Sequence, residues 1–158
     1  MVHILSRLAA HVDDIHRTTS GLGDAVLARR VYDDKWSLHE LVCHIWRVQQ
    51  VFDSRISRML TEENPAVPSY NPEHDAEFAP LVAQPPLQTI DAFKQSRREF
   101  IGRLESLDAA QWNRPGQHPE YPRFTVAFQV EYMMHHEASH LYQMFARRQK
   151  LSLMADSL

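Results

Sequence analysis

The chain has 158 residues, of which 44% are hydrophobic and 23% are charged, and its formal net charge is −3. This length suits one compact domain over residues 1–158, and the ordinary globular composition excludes wholesale disorder. The slight negative charge gives no electrostatic reason to expect a nucleic acid partner.

The cysteine content and the opening residues bear on the cellular compartment. Cys43 is the single cysteine, so no intrachain disulfide can form, and this fits a reducing compartment. Residues 1–14 contain neither a basic leader nor an unbroken apolar run, and no apolar stretch approaches the ~18 residues of a membrane span. We therefore expect a cytoplasmic protein without a membrane partner.

Hydrophobic periodicity predicts a first helix over roughly residues 3–19, which Gly21 and Gly23 end. The second helix has the clearest start, because Ser37 and Glu40 match a capping box in which each side chain accepts a backbone N–H. Its apolar stripe alternates steps of three and four residues and consists of Leu38, Leu41, Ile45, Val48, Phe52, Ile56 and Met59.

A long proline-rich connection separates the second and third helices. Residues 61–86 contain six prolines, which exclude a regular helix there. A third amphipathic helix follows over roughly residues 87–107, and a second irregular stretch covers residues 113–123. Thr125 is the expected N-cap of a fourth helix that runs to about Arg148.

Four amphipathic helices with this pattern of connections predict an all-α four-helix bundle. The long crossover between helices two and three allows those two helices to run parallel, which gives an up-down-down-up order. The chain has only four glycines and no valine–threonine runs, so we expect no sheet.

Residues 136–140, HEASH, match the H-E-x-x-H pattern of zinc peptidases. Such a peptidase needs a third protein ligand. Gln143 and Ala146 stand where one peptidase class has glycine and histidine, and no glutamate follows His140 to serve the other class. Glu137 and His140 also resemble half of a di-iron carboxylate site, but the chain lacks a matching second half. Both assignments are disfavoured.

A helical wheel favours another kind of metal site. His136 and His140 lie on the flank of the apolar stripe of the fourth helix, and His44 holds the corresponding place on the second helix. Three imidazoles that converge there leave two or three coordination positions for water or substrate. Such a set suits zinc, nickel, iron(II) or copper and poorly suits calcium or magnesium. We predict a divalent transition-metal site at these histidines.

Three motifs together resemble the DinB-like, or damage-inducible, superfamily of metal-binding bundles. KWSLHELVCHIWRVQQVFDSRI (35–56) resembles the W-S-x-x-E-x-x-x-H signature of that family. WNRPGQHPEYPRFTV (112–126) resembles its tryptophan and H-P-E turn, and HEASHLYQM (136–144) resembles its closing histidine helix. The resemblance spans nearly the whole chain and implies an up-down-down-up bundle, frequently dimeric, with a divalent metal on three histidines.

By motif position, the resemblance places the metal ligands at His44, His136 and His140. Family members with known activity include bacillithiol- or mycothiol-dependent transferases and a mycothiol-dependent isomerase. The resemblance thus implies a metal-dependent, stress-related enzyme that activates a small thiol or water, as an S-transferase or hydrolase, with a small-molecule substrate. The alternative is a bundle with a structural or sensory metal site. The chain departs from the family pattern at Gln49, where an acidic residue is frequent, and at Pro122, where glycine is usual.

The other notable side chains have more ordinary expected roles. Glu137 is expected to pair with an arginine across the bundle, such as Arg97, and the alternative is a carboxylate that acts near the metal. We expect His39 to be exposed and Cys43 to be a packed thiol, while His118 either forms a turn or lines the mouth of the site. We expect Trp36 and Trp112 to pack at helix ends and His135 to be exposed to solvent.

Overall fold

The computed structural model describes residues 2–155, so Met1 and residues 156–158 of the expected domain lie outside the described residues. Within this range, none of the helices combines the length and the apolar character that crossing a membrane requires. The described helices and strands are α1 Val2–Thr19, α2 Asp24–Leu27, α3 Leu38–Thr61, a 3₁₀ turn Pro72–His74, α4 Phe78–Val82, α5 Pro86–Glu105, α6 Ala109–Trp112, β1 Pro115–Gly116, β2 Phe124–Thr125 and α7 Val126–Ala155.

The four long helices α1, α3, α5 and α7 form the predicted bundle, and contacts near their ends fix their directions. Near the end of α7, the Arg147 guanidinium donates a hydrogen bond of 2.6 Å to the Trp36 carbonyl oxygen, just before α3 begins. At the start of α5, the Leu87 N–H donates to the Asp24 carboxylate, just after α1 ends, at 2.9 Å. Each of these pairs of helices is therefore antiparallel.

The long crossover allows α3 and α5 to run parallel, as predicted. Midway along both helices, the Gln49 carboxamide donates to the Ser96 hydroxyl at 2.9 Å, and further along both helices Arg103 pairs with Asp53. The order of the bundle is therefore up-down-down-up.

Two hydrophobic clusters fill the bundle, and the apolar stripe of α3 supplies both. Leu41 and Ile45 belong to the cluster near the start of α3, whereas Phe52 and Ile56 belong to the cluster near its end. Fully burying one such side chain contributes roughly 1.5–3 kcal/mol. A layer of buried polar side chains lies between the clusters and consists of His11, Gln49, Arg97 and Glu137.

Local signals at the helix ends are confirmed. Ser37 and Glu40 make both hydrogen bonds of the capping box at α3, and the Thr125 hydroxyl accepts the Phe128 N–H at 3.2 Å at the start of α7. Gly21 has a φ of +75°, the left-handed conformation that glycine adopts most readily after a helix.

Several sequence expectations are wrong in detail. Residues 115–116 and 124–125 form a two-residue antiparallel strand pair where we expected no sheet. The short helix α4 lies within residues 61–86, where the prolines were expected to exclude a regular helix; its Pro80 is in the first turn, where a missing N–H costs no helical hydrogen bond. α7 continues to Ala155 rather than ending near Arg148. His39 is buried rather than exposed, with only 2% of its surface accessible, because the segment around α2 lies near the first turn of α3 and brings the Asp24 charge close to its ring.

Candidate metal centre

Three histidine rings from α3 and α7 come together as the sequence predicts. His136 Nε2 lies 3.3 Å from His44 Nε2 and 3.1 Å from His140 Nε2. One nitrogen from each ring lies within 4.8 Å of the other two. Within residues 2–155, this is the single group of three or more metal-ligating side chains that meets at one point.

The spacing of these nitrogens fits a single transition-metal ion. Zinc–nitrogen bonds of about 2.0–2.1 Å at tetrahedral angles place neighbouring ligand nitrogens roughly 3.3 Å apart. The separations of 3.3 Å between His44 and His136 and 3.1 Å between His136 and His140 agree with that distance. The three rings can therefore supply three ligands to one ion, with the remaining coordination positions open to other groups.

Burial holds the three rings in the neutral form that binds metals. Burial, reinforced by the two neighbouring rings, lowers the pKa of His44 to about 3. Burial, together with the repulsion that would arise if the neighbouring His136 ring were also protonated, lowers the pKa of His140 to about 4. Burial also lowers the pKa of His136, although the Glu137 carboxylate opposes this shift. A metal ion therefore displaces no proton from these rings at neutral pH.

Aromatic packing orients the rings. The Nδ1 atoms of His44 and His136 are buried and have no hydrogen-bond partner among the described residues. In many metal sites that nitrogen donates to a carboxylate or carbonyl oxygen, which fixes the ring. Here the Trp36 ring centroid lies 4.7 Å from that of His44, and the Tyr132 ring stacks on His136 at 6.3 Å and an interplanar angle of 13°.

The histidines form part of the wall of a cavity of about 340 Å³, a volume typical of small-molecule sites. Most of the wall is apolar and aromatic. Its aromatic residues are Trp36, Phe52, Tyr70, Tyr121, Phe124 and Tyr132, and its polar residues besides the histidine trio are Arg55, Ser69, His118, Glu120 and Gln129.

Glu137 is fully buried and takes no part in the cavity wall. Both of its carboxylate oxygens accept hydrogen bonds from Arg97, one of them at 3.0 Å, and His11 Nδ1 lies 3.0 Å from one of the same oxygens. Burial alone raises the pKa of Glu137, but Arg97 and then His11 outweigh burial, so the pKa lies below its usual value.

The pairing of Glu137 with Arg97 confirms the expected role of this carboxylate. Arg97 also donates to the Gln49 side-chain oxygen at 2.5 Å and to the Leu8 carbonyl oxygen at 3.1 Å, so the network joins all four long helices. A carboxylate held in this way cannot serve as the general base of an H-E-x-x-H peptidase. The structure therefore agrees with the case against a peptidase.

The remaining candidates lie in different surroundings. Cys43 is a packed thiol, as expected, because burial raises its pKa to about 12 and its sulfur lies 3.3 Å from His39 Nε2. His118 fulfils both alternatives: its Nδ1 accepts the Glu120 N–H at 3.2 Å in the turn, and its ring lines the cavity. Trp36 packs at the start of α3 but also lines the cavity beside the histidines. Trp112 is buried at the end of α6 and His135 is exposed, as expected.

Sequence reasoning missed two buried polar residues of the cavity wall, Arg55 and Gln129. Arg55 follows His44 by eleven residues, and Gln129 precedes His140 by eleven residues. Eleven residues are about three helical turns, so each residue lies on the same helix face as its histidine. This spacing was the signal in the sequence that could have identified them.

Comparisons with known proteins agree with the fold and with the superfamily that the sequence motifs resemble. The family model of the DinB superfamily matches residues 7–144. A protein of Oceanobacillus iheyensis, named provisionally as a metal-dependent hydrolase, is 24% identical over 137 residues, which cover 87% of this chain and 79% of that protein. The structure of YfiT from Bacillus subtilis is described, also provisionally, as a metal-dependent hydrolase with an unusual four-helix bundle topology. It is 18% identical, has a TM-score of 0.74, and the match covers 98% of this chain and 86% of YfiT. The chain belongs to the DinB superfamily.

Proposed function

We propose that this protein is a divalent-metal-dependent hydrolase of small molecules, with His44, His136 and His140 as the metal ligands. One observation carries the proposal: three neutral rings from two helices bring their Nε2 atoms together, with neighbouring atoms 3.1 and 3.3 Å apart, at the wall of a cavity of about 340 Å³. The provisional name of the Oceanobacillus iheyensis relative supports water as the nucleophile.

Each part of the site has a role in such a reaction. His44, His136 and His140 would hold a divalent ion, which would lower the pKa of a bound water toward ~7 and polarise a substrate carbonyl. The aromatic wall removes water from the substrate body, which strengthens electrostatic interactions inside the cavity. Burial and the Arg55 charge lower the pKa of His118, so its ring is neutral at pH 7. Because His118 Nδ1 accepts a backbone N–H, its proton is on Nε2, from which the neutral ring can donate a hydrogen bond to a substrate oxygen.

The cavity distinguishes this proposal from its main rival, a structural or sensory metal site. Structural zinc sites are closed by four protein ligands. Here the structure brings together three, and they border a cavity. A small thiol could replace water as the nucleophile, as the family resemblance implies, and this alternative is tested in the same assay. The homodimer and the cytoplasmic location stay predictions.

The test is an activity assay of protein purified without a histidine tag, stripped with a chelator and reloaded with zinc, nickel or iron(II). We expect hydrolysis of small aryl esters or amides to depend on the added metal and to be lost in the His44→Ala variant. His135→Ala is the control, because His135 is exposed on α7, the helix that carries His136 and His140, and lies outside the histidine trio. Parallel reactions with added cysteine or other small thiols test the transferase alternative. Turnover that survives both chelation and His44→Ala would contradict the proposal.

A further inference from the structure

The cavity has a polar end that lies away from the three histidines. Arg55 on α3 and Gln129 on α7 each lie eleven residues, or about 16 Å along the helix axis, from His44 and His140 respectively. Because α3 and α7 are antiparallel, both residues mark the same end of the cavity that they line. The histidines and these two polar side chains therefore occupy opposite ends of one binding site.

Arg55 is a buried cation without a carboxylate partner among the described residues. Only 8% of its surface is exposed, and its guanidinium donates to the Pro68 carbonyl oxygen at 2.5 Å and lies 5.0 Å from the Phe52 ring centroid. By contrast, Arg47 and Arg58 on the same helix each pair with a carboxylate. Removing a charge from water is costly unless an opposite charge accompanies it. A bound anion would supply that charge.

Gln129 provides a second, independent sign of a ligand at this end. The residue is 1% exposed, and its side-chain oxygen is buried with no hydrogen-bond partner among the described residues. Buried polar atoms are nearly always paired, so an unpaired one in a cavity wall indicates a group that arrives with a ligand. A half-turn of the carboxamide presents its N–H donors in place of its oxygen.

We propose that this end of the cavity binds the carboxylate of a small substrate through Arg55 and Gln129, while the reacting group of that substrate lies at the three histidines. The inference rests on the proposed function and names its substrate class, which is an apolar or aromatic monocarboxylate. Phe52 and Tyr132, whose ring centroids are 5.9 Å apart, line the cavity and provide apolar contacts for the substrate body.

One opposing charge borders the same cavity. The Glu120 carboxylate lines the wall, but it is exposed to solvent and accepts a hydrogen bond from the Ser69 hydroxyl. Solvent screens an exposed charge much more than a buried one, so the buried Arg55 dominates the field at its end. The presence of Glu120 favours a single negative charge on the ligand over two.

Calorimetric titration with 4-phenylbutyrate and its uncharged amide, 4-phenylbutyramide, tests the inference. The titrations use chelated protein first, so that the metal cannot hold the carboxylate, and zinc-loaded protein second. We expect chelated wild-type protein to bind the carboxylate at least about tenfold more tightly than the amide, as charge-assisted hydrogen bonds imply. Arg55→Met removes this preference and Arg55→Lys keeps part of it. Arg58→Met, an exposed arginine outside this cavity, leaves the preference unchanged.

A second variant keeps the inference falsifiable if Arg55→Met does not fold, as judged by circular dichroism. Gln129→Glu adds a negative charge at the same end, so it should weaken 4-phenylbutyrate binding at least about tenfold and remove the preference for the carboxylate over the amide. Equal affinity of wild-type protein for the two probes would overturn the inference, as would an unaltered preference in either folded variant. A carboxylate preference without metal-dependent turnover would instead refute the hydrolase proposal alone, so the two failures are distinguishable.

Discussion

The buried Arg97–Glu137 ion pair gives a sharp prediction about stability. The two side chains are 1% and 0% exposed, and Arg97→Met leaves the carboxylate in the core with His11 as its remaining partner. Removing one partner of a buried pair costs about 3–5 kcal/mol. A chain of this size loses about 2–4 °C of Tm for each kcal/mol, so we expect Tm to fall by roughly 6–20 °C.

Thermal and urea unfolding, followed by circular dichroism, measure this loss. Glu137→Gln should cost a similar amount, because it leaves the Arg97 charge unpaired. The double variant should lose less than the sum of the two single losses, by about 0.5–3 kcal/mol, because both charges are then gone. Arg98→Met is the matched control, since this exposed neighbour should change the free energy of unfolding by less than about 0.5 kcal/mol. A comparably small loss in Arg97→Met, or strict additivity in the double variant, would refute the reasoning.

The Arg97–Glu137 pair also predicts that the free energy of unfolding depends on pH. The folded-state pKa of Glu137 is below its usual value, so the stability it contributes is present above the unfolded pKa of about 4.3. That contribution is lost as the pH falls further through the folded-state pKa. The free energy of unfolding should therefore decline less steeply below about pH 4 in Glu137→Gln than in the wild-type protein.

Three further predictions concern single side chains. In chelated protein, the free energy of unfolding should fall as the pH drops below about 6.5, because His44 and His140 bind protons in the unfolded chain. In the folded protein their pKa values are about 3 and 4, so they stay neutral there. Urea titrations should show a smaller fall in His44→Ala. Cys43 should react with Ellman's reagent only after denaturant is added, because its thiol is buried and its pKa is about 12; rapid labelling of native protein would contradict that burial. Ser37→Ala should lower the free energy of unfolding by about 1 kcal/mol, because it removes half of the capping box, and an unchanged urea midpoint would contradict this.

Much of the fold is predictable from the sequence, because the long helices begin and bury their apolar faces where local sequence patterns indicate. The capping box at Ser37 starts α3 where expected, and the apolar stripe of this helix supplies both clusters of the core. The meeting of His44 with the α7 histidines follows from helical periodicity together with the order of the helices. The capping box and the apolar stripe depend on residues within a few helical turns of one another. The histidine cluster depends on which face of each helix the histidines occupy.

Features that depend on contacts distant in the sequence are less predictable. His39 is in the first turn of α3, where exposure is usual, and its burial depends on a preceding segment that has no strong pattern of its own. The strand pair at residues 115–116 and 124–125 is too short to produce an alternating pattern. Arg55 resembles an ordinary surface arginine until its buried position at the end of the cavity is known.

Metal titration of untagged, chelated protein tests the central claim most directly. We predict that one equivalent of zinc binds and that, at about 100 times the dissociation constant, it adds about 2.7 kcal/mol to the free energy of unfolding. This corresponds to a rise in Tm of roughly 5–11 °C. His44→Ala and His140→Ala should lose both the bound zinc and the rise in Tm, whereas His135→Ala should keep both. Stoichiometric zinc binding by His44→Ala, or no binding by the wild-type protein, would contradict a metal centre at these three histidines.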